Sequence, residues 1–282
     1  MTRIESPSSI STFNQCKRKY YYSYKLNLPR KESISTLTGK AVHSSLEEFF
    51  KIGAIKVITP EIDLKHHLLN LFNSNWEKSL KSLLELKIDR QIILDHYQDS
   101  LSMLQGFIED FLESLNKEMK SLSFPEAFRK LKPETEIHLS SDKYNVHGYV
   151  DAILNSSGDI YILDYKTSSK DQVTEEYKLQ LAIYALLYKE RFNILPKKVG
   201  LHFLRYGTKK FLDVNDQLLF KAQKECELIK INTESDLIEN YEKNPGPLCK
   251  WKTGQCSFYD LCFGVKKLND FDEEKLVQLN RN

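Results

Sequence analysis

The chain has 282 residues, of which 41% are hydrophobic and 28% are charged, and this composition excludes a disordered or low-complexity protein. The formal net charge of +2 excludes nucleic-acid binding through overall basicity, so such a surface would need a local cluster of cations. The sequence has no apolar run long enough to span a bilayer and no apolar signal core at its start, so we expect a cytoplasmic protein that binds no membrane.

The N-terminal half of the sequence predicts helices. Residues 6–26 begin with serine cap candidates and continue with apolar residues at helical spacing. Residues 37–53 predict a second helix, which is entered through Gly39. Residues 61–131 are polar and rich in Leu, Ile and Phe, without the alternation that is typical of strands. We therefore predict several helices there, as an inserted or capping region.

The pattern changes after Pro133. Residues 134–169 predict strands that are separated by Ser-Asp and Ser-Ser-Gly-Asp turns. An amphipathic helix at 174–192, a hairpin at 197–214 and a further helix at 215–243 are expected to follow. The predicted organisation is N-terminal helices at 1–53, a helical insertion at 54–132, an α/β core at 133–243, and a cysteine-rich loop and tail at 244–282.

The segment DIYILDYK, residues 159–166, is an apolar strand that ends in Asp164 and Lys166. Alternate residues of a strand share a face, so these two side chains lie side by side. Asp151 ends the preceding apolar segment, and a tight turn would bring both carboxylates to one rim. Two close carboxylates repel unless a cation joins them, and oxygen ligands of this kind favour Mg²⁺ or Mn²⁺. The alternative is an Asp–Lys pair that simply reaches solvent at a strand end.

These residues and their order resemble the RecB-like branch of the PD-(D/E)XK nuclease superfamily, which includes CRISPR-associated and AddB-type nucleases with an iron–sulfur cluster. Asp151 matches the first metal aspartate of that branch, and Asp164 with Lys166 matches its Asp-x-Lys motif. His43, in GKAVHSSLEEF, matches the histidine that completes the metal shell from an N-terminal helix. The resemblance implies a restriction-endonuclease-like α/β core, in which a central mixed β-sheet is flanked by helices.

The resemblance also implies roles for further positions. The backbone carbonyl of Tyr165 would join His43 and the two aspartates as a metal ligand, and Lys166 would position water and stabilise the transition state. Gln180 and Tyr184 match a Gln-x-x-x-Tyr motif, which would line the cleft and help to hold the lysine and DNA. Taken alone, two residues four positions apart indicate only a helix packing face.

The sequence does not assign a role to several other titratable residues. The family often has an acidic residue upstream of the first metal aspartate, and the sequence does not choose between Glu134 and Glu136. His138, His147 and His202 fit β-segments and need no ligand role.

Four of the five cysteines are candidate ligands of a second site. Cys16 is near the N-terminus, and Cys249, Cys256 and Cys262 follow in a loop rich in Gly and Pro. Four thiolates can hold either Zn²⁺ or a 4Fe-4S cluster. The resemblance favours the cluster as a structural link between the two ends of the chain, although six residues separate the first two loop cysteines where the family has two. Cys226 is predicted to be a core residue.

The segment KRKYYYSYK interleaves cations with aromatic rings. Lys17 and Arg18 could contact phosphates, and Tyr20 could stack on an unpaired base. Three adjacent tyrosines cannot share one helix face, so at least one of them packs inward. A helix with core aromatics and snorkelling lysines is the alternative.

These observations together predict a metal-dependent deoxyribonuclease, with single-stranded DNA exonuclease action in DNA repair or recombination as the mode that the resemblance favours. The sequence has no Gly-x-x-x-x-Gly-Lys-Ser/Thr phosphate loop, so a helicase activity would have to come from a partner protein. The alternative function is a non-catalytic DNA-binding or assembly module, stabilised by an iron–sulfur or zinc site.

Overall fold

The computed structural model describes residues 3–51, 59–251 and 254–269. The helices are α1 Pro7–Gln15, α2 Lys17–Tyr20, α3 Ile34–Phe49, α4 Pro60–Glu85, α5 Arg90–Glu118, α6 Phe124–Leu131, α7 Glu175–Phe192, α8 Asp216–Asn232 and α9 Tyr259–Cys262. The strands are β1 Glu134–Ser141, β2 Val146–Ser156, β3 Asp159–Lys166, β4 Lys198–Phe203, β5 Thr208–Asp213, β6 Lys250–Trp251 and β7 Gly254–Gln255. A π-helix over Tyr21–Lys25 follows α2, and 3₁₀ turns cover Leu204–Tyr206 and Ile238–Asn240. None of these helices is long and apolar enough to cross a bilayer.

Strands β1 to β5 form a mixed sheet in that order, so the predicted α/β class with a central mixed sheet is confirmed. Strand β3 pairs antiparallel with β2 and parallel with β4, and β4 pairs antiparallel with β5 as the predicted hairpin. A parallel pair needs a crossover connection, which α7 supplies as it runs from β3 to β4 and packs on both strands. Because it is central, β3 is buried along most of its length.

Helix α7 is fixed at both ends by local chemistry. The Thr174 hydroxyl accepts a hydrogen bond from the backbone N–H of Tyr177, and Glu175 and Glu176 lie in the first turn, where the helix dipole favours negative charge. Asn193 ends the helix in a left-handed conformation with φ 54°. The helix that carries the Gln-x-x-x-Tyr motif therefore begins and ends close to the predicted residues.

Helix α3 begins earlier than the sequence predicts. The Ser33 hydroxyl accepts a hydrogen bond from the backbone N–H of Thr36 and caps the helix at Ile34. The prediction that the helix is entered through Gly39 is wrong, because Gly39 lies inside it. Likewise, the single helix expected at 6–26 is interrupted, because Cys16 adopts an extended conformation between α1 and α2.

The chain divides into two compact units. The terminal unit consists of Met1–Lys31, Ser140–His147 and Phe220–Asn282, and the sheet unit consists of Glu32–Leu139 and Gly148–Leu219. In the sheet unit, helices α3 to α6 share one hydrophobic core with Ala152, Leu163 and Tyr165 of the sheet. The predicted boundaries of the helical insertion, 54–132, stay a prediction.

We expect the Phe49→Ala substitution to lower the free energy of unfolding by about 3–5 kcal/mol, because it leaves a cavity among the rings of Phe50, Phe107, Phe111 and Phe128. Denaturant unfolding measures this loss. The matched control is Leu84→Ala on α4, where the side chain is 53% exposed and the expected change is within about 0.5 kcal/mol. Equal losses in the two variants would contradict this account of the core.

Candidate active site

The site begins where β2 and β3 stop pairing. Their ladder ends at the pair Ala152 and Leu163, and the next residue of each strand toward the rim is an aspartate, Asp151 and Asp164. Beyond that point, the Asp151 carboxylate accepts a hydrogen bond of 2.7 Å from the backbone N–H of Tyr165. A side-chain oxygen thus replaces the strand carbonyl as acceptor, so the strands separate without an unpaired N–H.

His43 reaches this rim from α3. Its Nδ1 atom lies 3.3 Å from Asp151 Oδ1, and its ring contacts the Tyr165 ring at 6.2 Å between centroids. Burial lowers the pKa of His43, but the charge and hydrogen bond of Asp151 outweigh burial, so the pKa is raised. The imidazole from residue 43 and the carboxylate from residue 151 therefore come together as the motif order implies.

Lys166 is held by several groups at once. Its Nζ atom lies 2.7 Å from Asp164 Oδ2 and donates a hydrogen bond of 2.8 Å to Gln180 Oε1. The Gln180 amide in turn donates to the Tyr184 hydroxyl at 3.1 Å, and the ammonium lies 4.5 Å from the Tyr177 ring centroid. Burial lowers the pKa of Lys166. The charge and the hydrogen bond of Asp164 raise it, and the net pKa is above the ordinary value. The lysine is therefore a fixed cation at neutral pH.

Asp164 is a buried carboxylate, only 3% exposed. Burial raises its pKa, the Lys166 ammonium lowers it, and the Asp151 charge raises it again, with a net increase. Its Oδ2 atom has no hydrogen-bond partner of good geometry among the described residues, although the ammonium of Lys166 is close. Such an atom is costly to bury without a further electrostatic partner.

Glu136 also belongs to this site, and the structure thereby separates it from Glu134. It adopts a left-handed conformation with φ 51° inside β1, which is uncommon for a residue with a side chain. Burial, and then the charges of Asp151 and Glu47, raise the pKa of Glu136 to about 7. No sequence signal could have selected Glu136, because glutamate does not indicate a positive φ.

The donor set fits a divalent cation. Within the three described ranges, no three His, Cys, Asp or Glu side chains already form a metal-holding group. However, burial raises the pKa of Asp164 and of Glu136, and the charge of Asp151 raises both further, so the carboxylates here bring an excess of negative charge together. Carboxylates with one imidazole suit Mg²⁺ or Mn²⁺, whose charge would offset this excess.

The four candidate cluster cysteines all lie in the terminal unit, and each is partly exposed. The backbone N–H of Cys256 donates to the carbonyl of Cys249 at 2.9 Å, and Cys262 ends α9. Burial raises the pKa of Cys262, Lys243 lowers it, and the charges of Cys16 and Cys249 raise it. Cys262 thus interacts electrostatically with Cys16 and Cys249, although within the described residues no three of these cysteines form a metal-holding group.

The N-terminal residues that were predicted to contact DNA have other partners in the terminal unit. Tyr20 is 0% exposed and donates its hydroxyl proton to Glu5 at 2.5 Å, so the expectation that its ring stacks on a base does not fit its burial. Arg18 donates to the carbonyl of Tyr241 at 2.7 Å, and Lys17 lies 3.6 Å from the Glu242 carboxylate. This segment follows the alternative of core aromatics with paired cations.

Comparison with known proteins identifies the family of the chain. A model of the PD-(D/E)XK nuclease superfamily matches residues 5–263. The CRISPR-associated exonuclease Cas4 of Francisella tularensis subsp. novicida (strain U112) is 27% identical in an alignment of 159 residues, which covers 53% of this chain and 75% of that protein. A crystal structure of a candidate exonuclease from Eubacterium rectale covers 93% of each chain with a TM-score of 0.50 and 14% identity, which shows a shared fold.

The superfamily match extends over nearly the whole sequence and includes every residue of the site at the end of β2 and β3. The chain therefore belongs to the PD-(D/E)XK nuclease superfamily and is a nuclease.

Proposed function

We propose that the chain is a deoxyribonuclease that depends on a divalent metal and degrades single-stranded DNA as an exonuclease. The observation that carries the proposal is the convergence of His43, Asp151, Asp164 and Lys166 at one end of a splayed strand pair. The relative from Francisella is described as an exonuclease, and we extend that mode of action to this chain.

The metal would be Mg²⁺ or Mn²⁺, held by His43, Asp151, Asp164 and the backbone carbonyl of Tyr165. When bound, it would neutralise phosphate charge and activate water for attack on the phosphorus atom. Its proposed ligands come from α3, β2 and β3, which one buried core packs together. The proposed ligands thus lie on packed helices and strands rather than on a loop.

Lys166 acts as an electrostatic stabiliser and a hydrogen-bond donor. Because its pKa is raised, it stays protonated at neutral pH and does not serve as a general base. Its remaining N–H groups can donate to a phosphate oxygen or to the attacking water, where negative charge grows in the transition state. Gln180 and Tyr184 fix the direction of the ammonium through their chain of hydrogen bonds.

In the terminal unit, we propose that Cys16, Cys249, Cys256 and Cys262 hold a 4Fe-4S cluster with a structural role. The place of all four cysteines in the terminal unit and the resemblance to nucleases with a cluster support this proposal. Cys16 and Cys249 are more than 200 residues apart, so a ligand set that joins them restricts the unfolded chain strongly.

We place the nuclease in DNA repair or recombination. Its proposed partner is a helicase or recombination protein that supplies the single strand.

We expect Asp164→Asn to lower metal-dependent DNA cleavage by at least about 100-fold, because it removes a metal ligand and the partner of Lys166. Cleavage of end-labelled and circular single-stranded DNA, with Mg²⁺, Mn²⁺ or EDTA, measures the activity, and an exonuclease leaves the circles intact. Mn²⁺ should raise the Tm of the unaltered protein but not of the variant, because only the former binds the ion tightly.

The matched control is Asp159→Asn, at the other end of the same strand, where the carboxylate pairs with Lys197 at the surface. It should cleave DNA normally. Cleavage that persists undiminished in both Asp164→Asn and Lys166→Ala would reject the proposed site. Asp164→Asn and Lys166→Ala should still bind DNA, because phosphate contacts elsewhere provide most of the affinity.

We expect Gln180→Ala to lower kcat by about 10- to 100-fold while DNA affinity changes little, because the lysine loses its orienting acceptor. Single-turnover kinetics measure this effect. The double variant Lys166→Ala with Gln180→Ala should be no slower than Lys166→Ala alone, since Gln180 acts through the lysine. Fully additive losses would show instead that Gln180 contributes by an independent route.

We expect the purified protein to contain iron and acid-labile sulfide in equal amounts, and Cys256→Ser to lose both together with part of the thermal stability. Metal analysis, the visible absorbance spectrum and Tm measure these changes. Cys226→Ser is the control, because Cys226 is wholly buried in α8 and lies outside the proposed ligand set. A colourless protein that contains zinc would contradict the cluster and support a zinc site.

A further inference from the structure

The lysine of the site lies over an aromatic ring that the Gln-x-x-x-Tyr motif does not include. The Lys166 Nζ atom is 4.5 Å from the centroid of the Tyr177 ring, within the distance at which a ring face attracts a cation. The Lys166 side chain is only 16% exposed, so water weakens this attraction little. Tyr177 is therefore a third neighbour of the ammonium, beside Asp164 and Gln180.

The place of the Tyr177 ring is set by the start of α7 and by β4. The Thr174 hydroxyl that caps α7 accepts its hydrogen bond from the backbone N–H of Tyr177, so Tyr177 lies in the first turn. Tyr177 and Gln180 are three residues apart and share a helix face, and both contact Lys166. The ring also packs on the buried ring of Phe203, with 6.4 Å between centroids. A helix face and a central strand thus hold the ring at the ammonium.

A ring face suits this place for an electrostatic reason. Asp164 already supplies a negative charge at 2.7 Å from the ammonium, and Gln180 accepts one of its N–H groups. A further carboxylate would hold the lysine more strongly, but it would also repel the phosphate that the lysine is to contact. The face of a tyrosine ring attracts a cation without carrying a net charge. It therefore restrains the ammonium and adds no negative charge to the site.

We propose that Tyr177 is a positioning residue of the nuclease reaction, whose ring face holds the Lys166 ammonium in the direction of the phosphate that is cleaved. The inference rests on the proposed nuclease function and adds a residue to its machinery. A lysine ends in a flexible four-carbon stem, and Asp164 and Gln180 restrain the ammonium from only two directions. The ring supplies a third direction, so the donor is oriented before the transition state forms. Tyr177 acts through the lysine and not on the substrate.

The kinetic test separates the ring face from the volume of the side chain. Tyr177→Leu keeps an apolar group against Phe203 but removes the face. It should lower the single-turnover rate constant roughly 3- to 30-fold, while DNA affinity changes less than about twofold. Tyr177→Phe keeps the face and should restore the rate. Phenylalanine analogues with one, two or three ring fluorines at this position should lower the rate stepwise, because fluorine weakens the negative ring face. Equal rates for all these variants would overturn the proposal.

The matched control is Tyr161→Leu, at the other end of β3 from Lys166. The Tyr161 ring is partly buried, as the Tyr177 ring is, and its centroid lies 6.2 Å from that of Phe211. This variant should cleave DNA at the rate of the unaltered protein. In a protein that already carries Lys166→Ala, Tyr177→Leu should cause no further loss of rate, since its effect passes through the lysine. A second loss of the same size would overturn the proposal.

The contact between the ring and the lysine is also measurable without cleavage. Because a ring current shifts protons above its face upfield, the NMR signals of the Lys166 ε-protons should lie upfield in the unaltered protein and in Tyr177→Phe, but not in Tyr177→Leu. Ordinary positions in the unaltered protein would overturn the contact, whether or not Tyr177→Leu folds. If the signals lie upfield but no metal supports cleavage, the proposed function is wrong and the positioning role with it. If DNA is cleaved equally fast by Tyr177→Leu, only the positioning role is rejected.

Discussion

The hydrogen bond from the Tyr165 N–H to the Asp151 carboxylate is the constraint on which the site depends. It lets β2 leave β3 without an unpaired donor, since a side-chain oxygen takes the place of the strand carbonyl. The separation opens the sheet at its rim and leaves Asp151 and Asp164 next to each other. Two carboxylates in that position repel each other, and Lys166 and His43 offset part of this repulsion.

The negative charge of the carboxylates at the site is only partly balanced by the cations around them. Lys166 and His43 offset part of the negative charge, yet burial and the charge of Asp151 raise the pKa values of Asp164 and Glu136. A site that was only structural would be more stable with a neutral or better paired group in place of Asp164. The strain of Glu136 at positive φ is a second cost at the same place. Both costs are reasonable where a cation and a phosphate are to be bound.

The sequence was sufficient for the features that depend on local patterns. The apolar run of β3, the capped helix α7 and the hairpin of β4 and β5 follow from spacing and turn chemistry, and the motif residues follow from their order. The sequence was insufficient where contacts between residues far apart in the chain decide the position of a side chain. The neighbouring cations predict a surface position for the Tyr20 ring, but its hydroxyl donates a buried hydrogen bond to the Glu5 carboxylate. The selection of Glu136 and the pairing of His138 with Tyr149 depend on how strands pair, which composition does not encode.

The parallel pairing of β3 with β4 has a consequence for when the enzyme becomes active. Lys166 depends on Gln180, which lies on the crossover helix between these two strands, and His43 comes from a helix more than 100 residues earlier. Contacts so distant in sequence form late, because each requires a long loop to close. A growing polypeptide on the ribosome therefore cannot bring these side chains together until α7 has emerged and packed on the sheet, and an opening of the crossover would separate Gln180 from Lys166.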